Sequence, residues 1–361
     1  MFIFSVFHGK TQSLRKVTYV LLCFIIIIYC FAFVLRGFNE FYDEKMDFIR
    51  GTRILERGLE GFYDEDVRIS PYPPLALILI ALFRMFFSTL ILFKLAFLAV
   101  HALDWIIFYI ILRRMNYELA PFIMLILSVF PLLRLGLITL HPTDYLFLLF
   151  LLLSIYFYPK SKTTSLLFLG LSIATKWYTI LASLFLPCFY YKHGRKEFMF
   201  KSALILWSSI LIGLVMPIII FPNYLNIYMF HAEKAGKIVS WITYSYGFKV
   251  PVINLPDHVA DVASYILIVF GLLISLVIIS KYKPVYSSIL ALSLIPFILF
   301  LIAKQPSLRF CTYPLIVTSL IIKKKFLLIL SFLTLAFFFR TGFIQALIVL
   351  LTLLYINYKL A

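Results

Sequence analysis

Two aspartates four residues apart, Asp43 and Asp47, have the side chains and the spacing to do acid–base chemistry. Together with Glu44 they follow the first long apolar run, and a spacing of four places both aspartates on one face if the segment is helical. A carboxylate is ionised at neutral pH and can accept a proton without a large pKa shift. Asp43, nearest the apolar run, is therefore the preferred base, with Asp47 and Glu44 in support.

The same segment holds most of the chain's acidic residues. Positions 37–72 contain nine of the sixteen aspartates and glutamates. Most of them are expected to form a solvated surface, as charge runs usually do. Asp64, Glu65 and Asp66 leave two alternatives open, a solvated turn or a site for substrate or a divalent metal such as Mn²⁺ or Mg²⁺.

Other polar segments contain cations and aromatic rings, and the predicted topology places these segments on the same side of the membrane as Asp43 and Asp47. They could hold a phosphate through charge-assisted hydrogen bonds and a sugar through aromatic contacts. The candidates for substrate binding are Lys94, Lys176, Lys304, Arg309, His231, Tyr72 and Trp241.

The composition says what kind of scaffold carries these groups. Of 361 residues, 63% are hydrophobic and 14% charged, and the mean hydropathy is +1.02. A soluble globular protein and a disordered chain are both excluded, which leaves an all-α polytopic membrane protein. The net charge of +17 comes from short cationic clusters between apolar runs, so it indicates membrane anchors rather than nucleic-acid binding. The four cysteines lack metal-ligand spacing and are expected to pack.

The cationic clusters define the predicted topology, because lysine and arginine concentrate on the cytoplasmic side. If all clusters lie on that side, an even number of crossings must separate each pair. Arg113 then lies on the cytoplasmic side only if a single span, rather than two, precedes it. The stretch 73–87 is therefore predicted to be an extracytoplasmic surface helix. Only 29 residues separate Lys162 from Lys192, which is too short for two full spans, so two short helices are expected to meet at Lys176.

This reasoning predicts a single domain, 1–361, with about twelve spans and both ends in the cytoplasm. The long first extracytoplasmic loop with its surface helix occupies 37–87, and a second large loop occupies 222–258. The predicted spans are 17–36, 88–112, 118–137, 143–158, 163–175, 177–191, 199–221, 259–280, 285–303, 309–322, 326–339 and 342–357.

Three ionisable residues fall inside the second predicted span. Lys94 lies near its outer end, where it either serves the site or extends to the interface. His101 and Asp104 form either a mutual structural pair or a functional one, since ionisable groups at such depth are paired or functional by default.

Several short motifs resemble GT-C glycosyltransferases that use polyprenyl-phosphate sugars. The first outer loop carries Asp43-Glu44, Gly58, Tyr63 and Tyr72-Pro73-Pro74-Leu75. The stretch from Gly170 to Tyr178 is similar to the Gly-x-Ser-x-x-x-Lys-x-Tyr motif of the GPI mannosyltransferase I catalytic subunit, and Tyr228-Met229-Phe230-His231 with Ser240-Trp241 is similar to a later loop of that family. The Tyr-Pro-Pro motif also fits the prokaryotic polyprenyl-phosphate mannose branch. One departure is that Asp43-x-x-x-Asp47 replaces the Asp-x-Asp of the eukaryotic enzyme.

The resemblance implies a GT-C fold and transfer of a sugar, with mannose as the sugar it suggests, from a polyprenyl or dolichyl phosphate to a lipid-linked or glycan acceptor. It implies an active site on the extracytoplasmic or lumenal face of a prokaryotic plasma membrane or the endoplasmic reticulum, and it allows a small membrane subunit as partner. No cofactor is assigned, and a divalent metal, Mn²⁺ or Mg²⁺, is left open. The alternative is a secondary transporter or lipid-linked sugar flippase, whose signature would be two matching halves with substrate charges at the midplane.

Overall fold

The computed structural model describes residues 42–63, 72–114 and 142–227, with a few isolated positions elsewhere, and within these stretches the chain is helical. The helices are α1 (Tyr42–Tyr63), α2 (Pro74–Phe86), α3 (Leu90–Arg114), α4 (Pro142–Phe157), α5 (Lys162–Thr175), α6 (Ala182–Lys192) and α7 (Lys196–Ile220). A short 3₁₀ turn, Trp177–Thr179, lies between α5 and α6, and a π-helical turn, Leu211–Val215, lies inside α7.

α1 and α2 form an antiparallel pair built from the acid-rich segment and the chain that follows it. The Arg84 guanidinium of α2 lies 4.2 Å from the centre of the Phe48 ring in α1, and its Nε donates to Thr52 Oγ1 at 2.8 Å. Gly51 permits this close approach, because a Cβ there would lie 2.7 Å from Arg84 Cβ. The acidic segment therefore contributes a packed helix.

The helix expected at 73–87 is confirmed as α2. Pro74 begins it, since its fixed φ suits the first helical position and its missing N–H needs no partner there. One face is fully packed, and its buried residues are Ala76, Leu77, Ile80 and Ala81. The position of α2 relative to the membrane stays a prediction.

α1 bends at Gly58, whose φ of +70° favours glycine. Beyond the bend, Tyr63 packs against Phe221 and Tyr224, with ring centres 4.8 Å and 5.0 Å away. The end of α1 therefore contacts the chain just after α7.

α3 and α4 run in the same direction. The His101 ring of α3 lies 4.4 Å from that of Tyr145 at the start of α4, and Arg114 Nη2 donates to Tyr156 Oη at 2.9 Å near their other ends. The predicted topology has one further span between α3 and α4 along the chain, so it requires α3 and α4 to run in the same direction.

α4 and α5 form an antiparallel hairpin through a short turn. Ser154 Oγ and Ser165 Oγ each donate to the other residue's carbonyl oxygen, at 2.8 Å and 2.7 Å. Further along, Ser172 Oγ donates to the carbonyl of Phe147 at 3.4 Å. This register places the start of α4 opposite the end of α5.

The break expected at Lys176 is confirmed. Lys176 is in the extended conformation, φ −160° and ψ 130°, and the chain bends by 119° between Lys162–Thr175 and Trp177–Lys192. α6 then pairs with α7, where Trp207 Nε1 donates to the carbonyl of Ser183 at 3.2 Å. The bend therefore turns the chain back alongside α7.

Small residues let α5 and α7 pack side by side in the same direction. A Cβ at Gly170 would lie 2.4 Å from Ser209 Oγ, and a Cβ at Gly213 would lie 3.2 Å from Ala174 Cα. Gly170 and Ala174 are four apart, as are Ser209 and Gly213, which is the small-x-x-x-small pattern of closely packed membrane helices. Gly213 belongs to the π-helical turn, so this turn lies beside the end of α5.

In length and composition α3 and α7 suffice to cross a membrane, and the bent α5–α6 pair would add a third if it is one span. The directions of α3, α4, α5, α6 and α7 agree with the predicted parity. The other predicted spans lie on parts of the chain of which the structure describes isolated residues or none. The count of twelve and the GT-C fold therefore stay predictions.

Candidate functional site

A polar cluster forms where α1, the Tyr-Pro-Pro segment, the start of α4 and the break after α5 meet. Its members are Asp47, Arg50, Tyr72, Thr143, Asp144 and Lys176. Four separate stretches of chain supply them. The alignment of α4 against α5 brings Asp144 and Lys176 together. Sequence analysis proposed three of these residues, namely Asp47, Tyr72 and Lys176.

Asp47 and Arg50 form the part of the cluster carried by α1. Asp47 is fully buried, and its Oδ1 accepts from Arg50 Nη1 at 2.5 Å. The spacing i, i+3 puts the two on one helix face. The Arg50 guanidinium also lies 5.1 Å from the centre of the Tyr72 ring, so it joins α1 to the Tyr-Pro-Pro segment.

Tyr72 is close enough to both carboxylates of the cluster to interact with their charges. Burial raises the pKa of its phenol above the ordinary value, and the charges of Asp47 and Asp144 raise it further, while Arg50 and Thr143 act in the opposite direction. The hydroxyl therefore stays protonated at neutral pH and can donate a hydrogen bond. Its backbone is fixed by Tyr63, whose hydroxyl donates to the Tyr72 carbonyl at 2.7 Å.

Lys176 and Asp144 form the second ion pair of the cluster, with Lys176 Nζ donating to Asp144 Oδ1. Their side chains are 15% and 13% exposed, so the pair is largely shielded from solvent. The ammonium also lies 4.8 Å from the centre of the Tyr178 ring. Lys176 belongs to the bend between helices, as the sequence predicted.

The arrangement contains the parts that a transfer from a phosphate leaving group requires. Two carboxylates can accept protons or hydrogen bonds, two cations can hold an anion, and a protonated phenol can donate. The two positive and two negative charges balance, so a bound anion would add net negative charge.

Asp43 and Glu44 lie in the first turn of α1, one turn before Asp47. The helical conformation puts Asp43 on the Asp47 side of α1, as the spacing predicts. The structure describes the backbone of these two residues, so their role as base and support stays a prediction.

Lys94 is buried in α3, with a relative exposure of 2%. Its neighbour Phe93 packs edge-on against Phe48 of α1, with ring centres 5.6 Å apart. This burial disfavours the alternative that the side chain extends to the interface. Lys94 makes polar or electrostatic contacts of its own, and its part in phosphate binding stays a prediction.

His101 and Asp104 are adjacent but not hydrogen-bonded to each other. His101 Nδ1 lies 3.8 Å from Asp104 Oδ2, which is too far for a hydrogen bond. Trp105 Nε1 donates to His101 Nε2 at 3.1 Å. The two side chains are therefore adjacent without a hydrogen bond between them, beside Tyr145 of α4, and the alternatives of a structural and a functional pair both stay predictions.

Seven of the proposed substrate and metal residues lie outside the part of the chain that the structure describes. They are His231, Trp241, Lys304, Arg309 and the acidic triplet Asp64-Glu65-Asp66. Within the described ranges no three histidine, cysteine or acidic side chains form a group that could hold a metal ion.

Sequence analysis missed Arg50, Thr143 and Asp144. Asp144 had a readable signal, because it opens a span whose start faces the same predicted side as the break at Lys176. Arg50 is the i, i+3 neighbour of Asp47, a spacing at which opposite charges meet on a helix.

No protein-family model, no curated protein and no solved structure matches this chain.

Proposed function

We propose that this chain is an integral-membrane glycosyltransferase that moves a sugar from a polyprenyl or dolichyl phosphate carrier to a lipid-linked or glycan acceptor. The observation that carries the proposal is the convergence of Asp47, Arg50, Tyr72, Asp144 and Lys176 from four stretches of chain onto one place. Carboxylates beside cations suit a reaction in which a hydroxyl loses a proton while a phosphate departs.

In this proposal each residue has one role in the reaction. A carboxylate of α1, Asp43 in our proposal, takes the proton of the acceptor hydroxyl as its oxygen attacks the anomeric carbon. Phosphate is a good leaving group, so cations that hold its charge replace a protonated acid. Lys176 and, from outside the described residues, Lys304 and Arg309 are assigned this role. One displacement inverts the anomeric centre, which gives an α-linked product from a β-linked donor.

Mannose as the sugar and the GT-C class rest on the motif resemblance. Two of its motifs have a described place in the structure that favours the idea. Tyr72 of the Tyr-Pro-Pro motif and Lys176 of the Gly-x-Ser-x-x-x-Lys-x-Tyr motif both belong to the cluster.

The direct test is transfer of label from a polyprenyl-phosphate sugar by the purified protein in lipid. We expect label to enter a hydroxyl acceptor with wild type and to be lost in Asp43→Asn. Glu56→Gln is the matched control, because Glu56 is an exposed acid on the same helix. Absence of transfer with every donor sugar and acceptor tried, from folded protein, would refute the proposal.

Metal dependence is tested in the same assay with a chelator. If Asp64 and Asp66 or the Asp43/Asp47 pair hold an essential divalent cation, chelation stops transfer and Mn²⁺ or Mg²⁺ restores it. Transfer that persists in excess chelator removes these residues from consideration as an essential metal site.

A secondary transporter or flippase is the second candidate, and one observation favours it. Transporters commonly place substrate charges at helices interrupted within the membrane, and the Lys176–Asp144 pair lies at such an interruption. Proteoliposomes separate the two ideas. A transporter moves a labelled lipid-linked sugar across the bilayer without breaking its glycosyl bond, whereas the transferase releases polyprenyl phosphate.

A further inference from the structure

The Tyr-Pro-Pro segment gives the Tyr72 carbonyl no hydrogen-bond donor from the two residues that follow it. Pro73 and Pro74 have no N–H, and the hydrogen bonds of α2 begin one residue later, at the Pro73 carbonyl. The Tyr63 hydroxyl at the end of α1 donates to the Tyr72 carbonyl instead, at 2.7 Å. Tyr63 therefore holds the backbone of the residue whose phenol enters the cluster.

This backbone contact also affects the Tyr72 ring, because the segment is stiff. Proline holds φ near one value, and the residue before a proline is largely confined to extended conformations. A displacement of the Tyr72 carbonyl then moves the whole residue, and with it the ring that lies 5.1 Å from the Arg50 guanidinium. The position of the Tyr63 hydroxyl thus influences the geometry of the cluster, although Tyr63 is not one of its members.

Tyr63 is itself fixed by the packing of its ring. The residue is fully buried, and its ring lies 4.8 Å from that of Phe221 and 5.0 Å from that of Tyr224, measured between centres. Burial raises the pKa of the Tyr63 phenol above the ordinary value, and the nearby Tyr224 raises it further, so the hydroxyl stays a donor. Phe221 directly follows α7, and Tyr224 belongs to the predicted second outer loop, 222–258.

The same packed group extends to the other ion pair of the cluster. Trp177, the residue directly after Lys176, packs into one apolar group with Tyr63, Tyr72 and Phe221. The segment after α7 therefore shares a packed group with both Tyr72 and the neighbour of Lys176.

We propose that Tyr63 is a positioning residue that sets the place of the Tyr72 phenol in the cluster through the Tyr72 carbonyl. Because the Tyr63 ring is seated on Phe221 and Tyr224, the position of Tyr72 depends on the segment that opens the second outer loop. This inference rests on the proposed glycosyltransferase function, in which the Tyr72 hydroxyl is a hydrogen-bond donor of the site.

The test compares Tyr63→Phe, Tyr72→Phe and the double variant in the labelled-donor transfer assay. Each change keeps the ring and removes the hydroxyl. We expect Tyr63→Phe to lower turnover about threefold to tenfold, as for one lost hydrogen bond, and the double variant to turn over no more slowly than Tyr72→Phe alone. Tyr190→Phe should turn over like wild type and is the matched control, because Tyr190 is also fully buried but lies near the far end of α6. Losses that multiply in the double variant would overturn the inference.

A second measurement observes the Tyr72 ring directly and does not depend on transfer. A fluorotyrosine in place of Tyr72 reports the surroundings of that ring by fluorine NMR. We expect its resonance to shift or broaden in Tyr63→Phe and in Phe221→Leu, which removes the ring against Tyr63 and keeps an apolar side chain, and to stay unchanged in Tyr190→Phe. An unchanged resonance in either of the first two variants would contradict the positioning role, whereas absence of transfer with a responsive resonance refutes the proposed function alone.

Discussion

Asp47 is engaged by Arg50, and that contact affects the chemistry it can do. The ion pair with the guanidinium occupies one oxygen of the carboxylate and holds the side chain in one position. Asp47 is therefore better suited to hold Arg50 in place than to act as base, and Asp43, one turn earlier on the same side of α1, keeps the assignment.

We expect Asp43→Asn to lower turnover by about 10²-fold or more with donor affinity little changed, because the amide has no basic oxygen to accept the proton. Asp47→Asn should be milder in turnover. Single-turnover transfer rates and donor KM of the two variants, with thermal stability as the folding control, make the comparison. A severe loss of turnover in Asp47→Asn, together with near-normal turnover in Asp43→Asn, would instead identify Asp47 as the base.

Tyr72 gives a prediction about pH. Because burial and the two carboxylates raise the pKa of its phenol, the hydroxyl stays a donor through the alkaline range in which an ordinary tyrosine ionises. Tyr72→Phe should reduce transfer about tenfold through loss of one hydrogen bond, by roughly the energy of a bond to a charged group. The pH–rate profile of the variant between pH 6 and about 9.5 should keep the wild-type shape. An alkaline limb that disappears in Tyr72→Phe would contradict the raised pKa.

Close approaches between backbones help the helices to position these residues. Gly170 and Gly213 bring α5 and α7 together beside the bend that carries Lys176. A π-helical turn at the same level of α7 fits this picture, since such turns often occur at functional sites.

Gly213→Val should separate α5 from α7 and displace the bend. The new side chain would meet the Ala174 backbone, which cannot move away as a flexible side chain could. We expect a destabilisation of about 1–3 kcal/mol, typical of overpacking, together with weaker donor binding. Leu211→Val is the control, because Leu211 is an exposed residue of the same π-helical turn. Thermal unfolding in detergent and donor KM are the measurements, and equal behaviour of the two variants would contradict the packing argument.

The chain as a whole has a predicted sidedness that accessibility can test. Single cysteines at Glu60 and Gly236, in a background without the four native cysteines, should react with an impermeant thiol reagent from outside. A cysteine at Arg195, in the cationic turn before α7, should not. Arg195 is preferred to its neighbour Gly194, whose φ of +68° would strain any other residue. Outside labelling at Arg195 would reverse the parity argument and place the bend at Lys176 on the other side.

Much of the described fold could be predicted because it follows from length and charge. The distance between Lys162 and Lys192 requires a break near Lys176, and the parity of cationic clusters fixes the direction of each helix. The Lys176–Asp144 pair could not be predicted in the same way. It depends on the register of α4 against α5, which small polar contacts such as that between Ser154 and Ser165 determine.

Half of the cluster could be predicted from the sequence, from motifs and from position along the chain. Tyr72 and Lys176 stand out by motif, and Asp47 stands out by its place after an apolar run. The contact between Arg50 and Tyr72 joins α1 to the segment that opens α2, and no local spacing in the sequence predicts it.

The length of α5 has a consequence for the lipid around the protein. Fourteen residues span about 21 Å, while the hydrocarbon core of a bilayer is about 30 Å thick. If the turn before α5 lies at the cytoplasmic boundary of the hydrocarbon core, Lys176 lies about 9 Å below the extracytoplasmic boundary of that core. A phosphate head group must then sink below its normal depth to reach Lys176, so a thinner bilayer brings the carrier closer to the site and a thicker one holds it away.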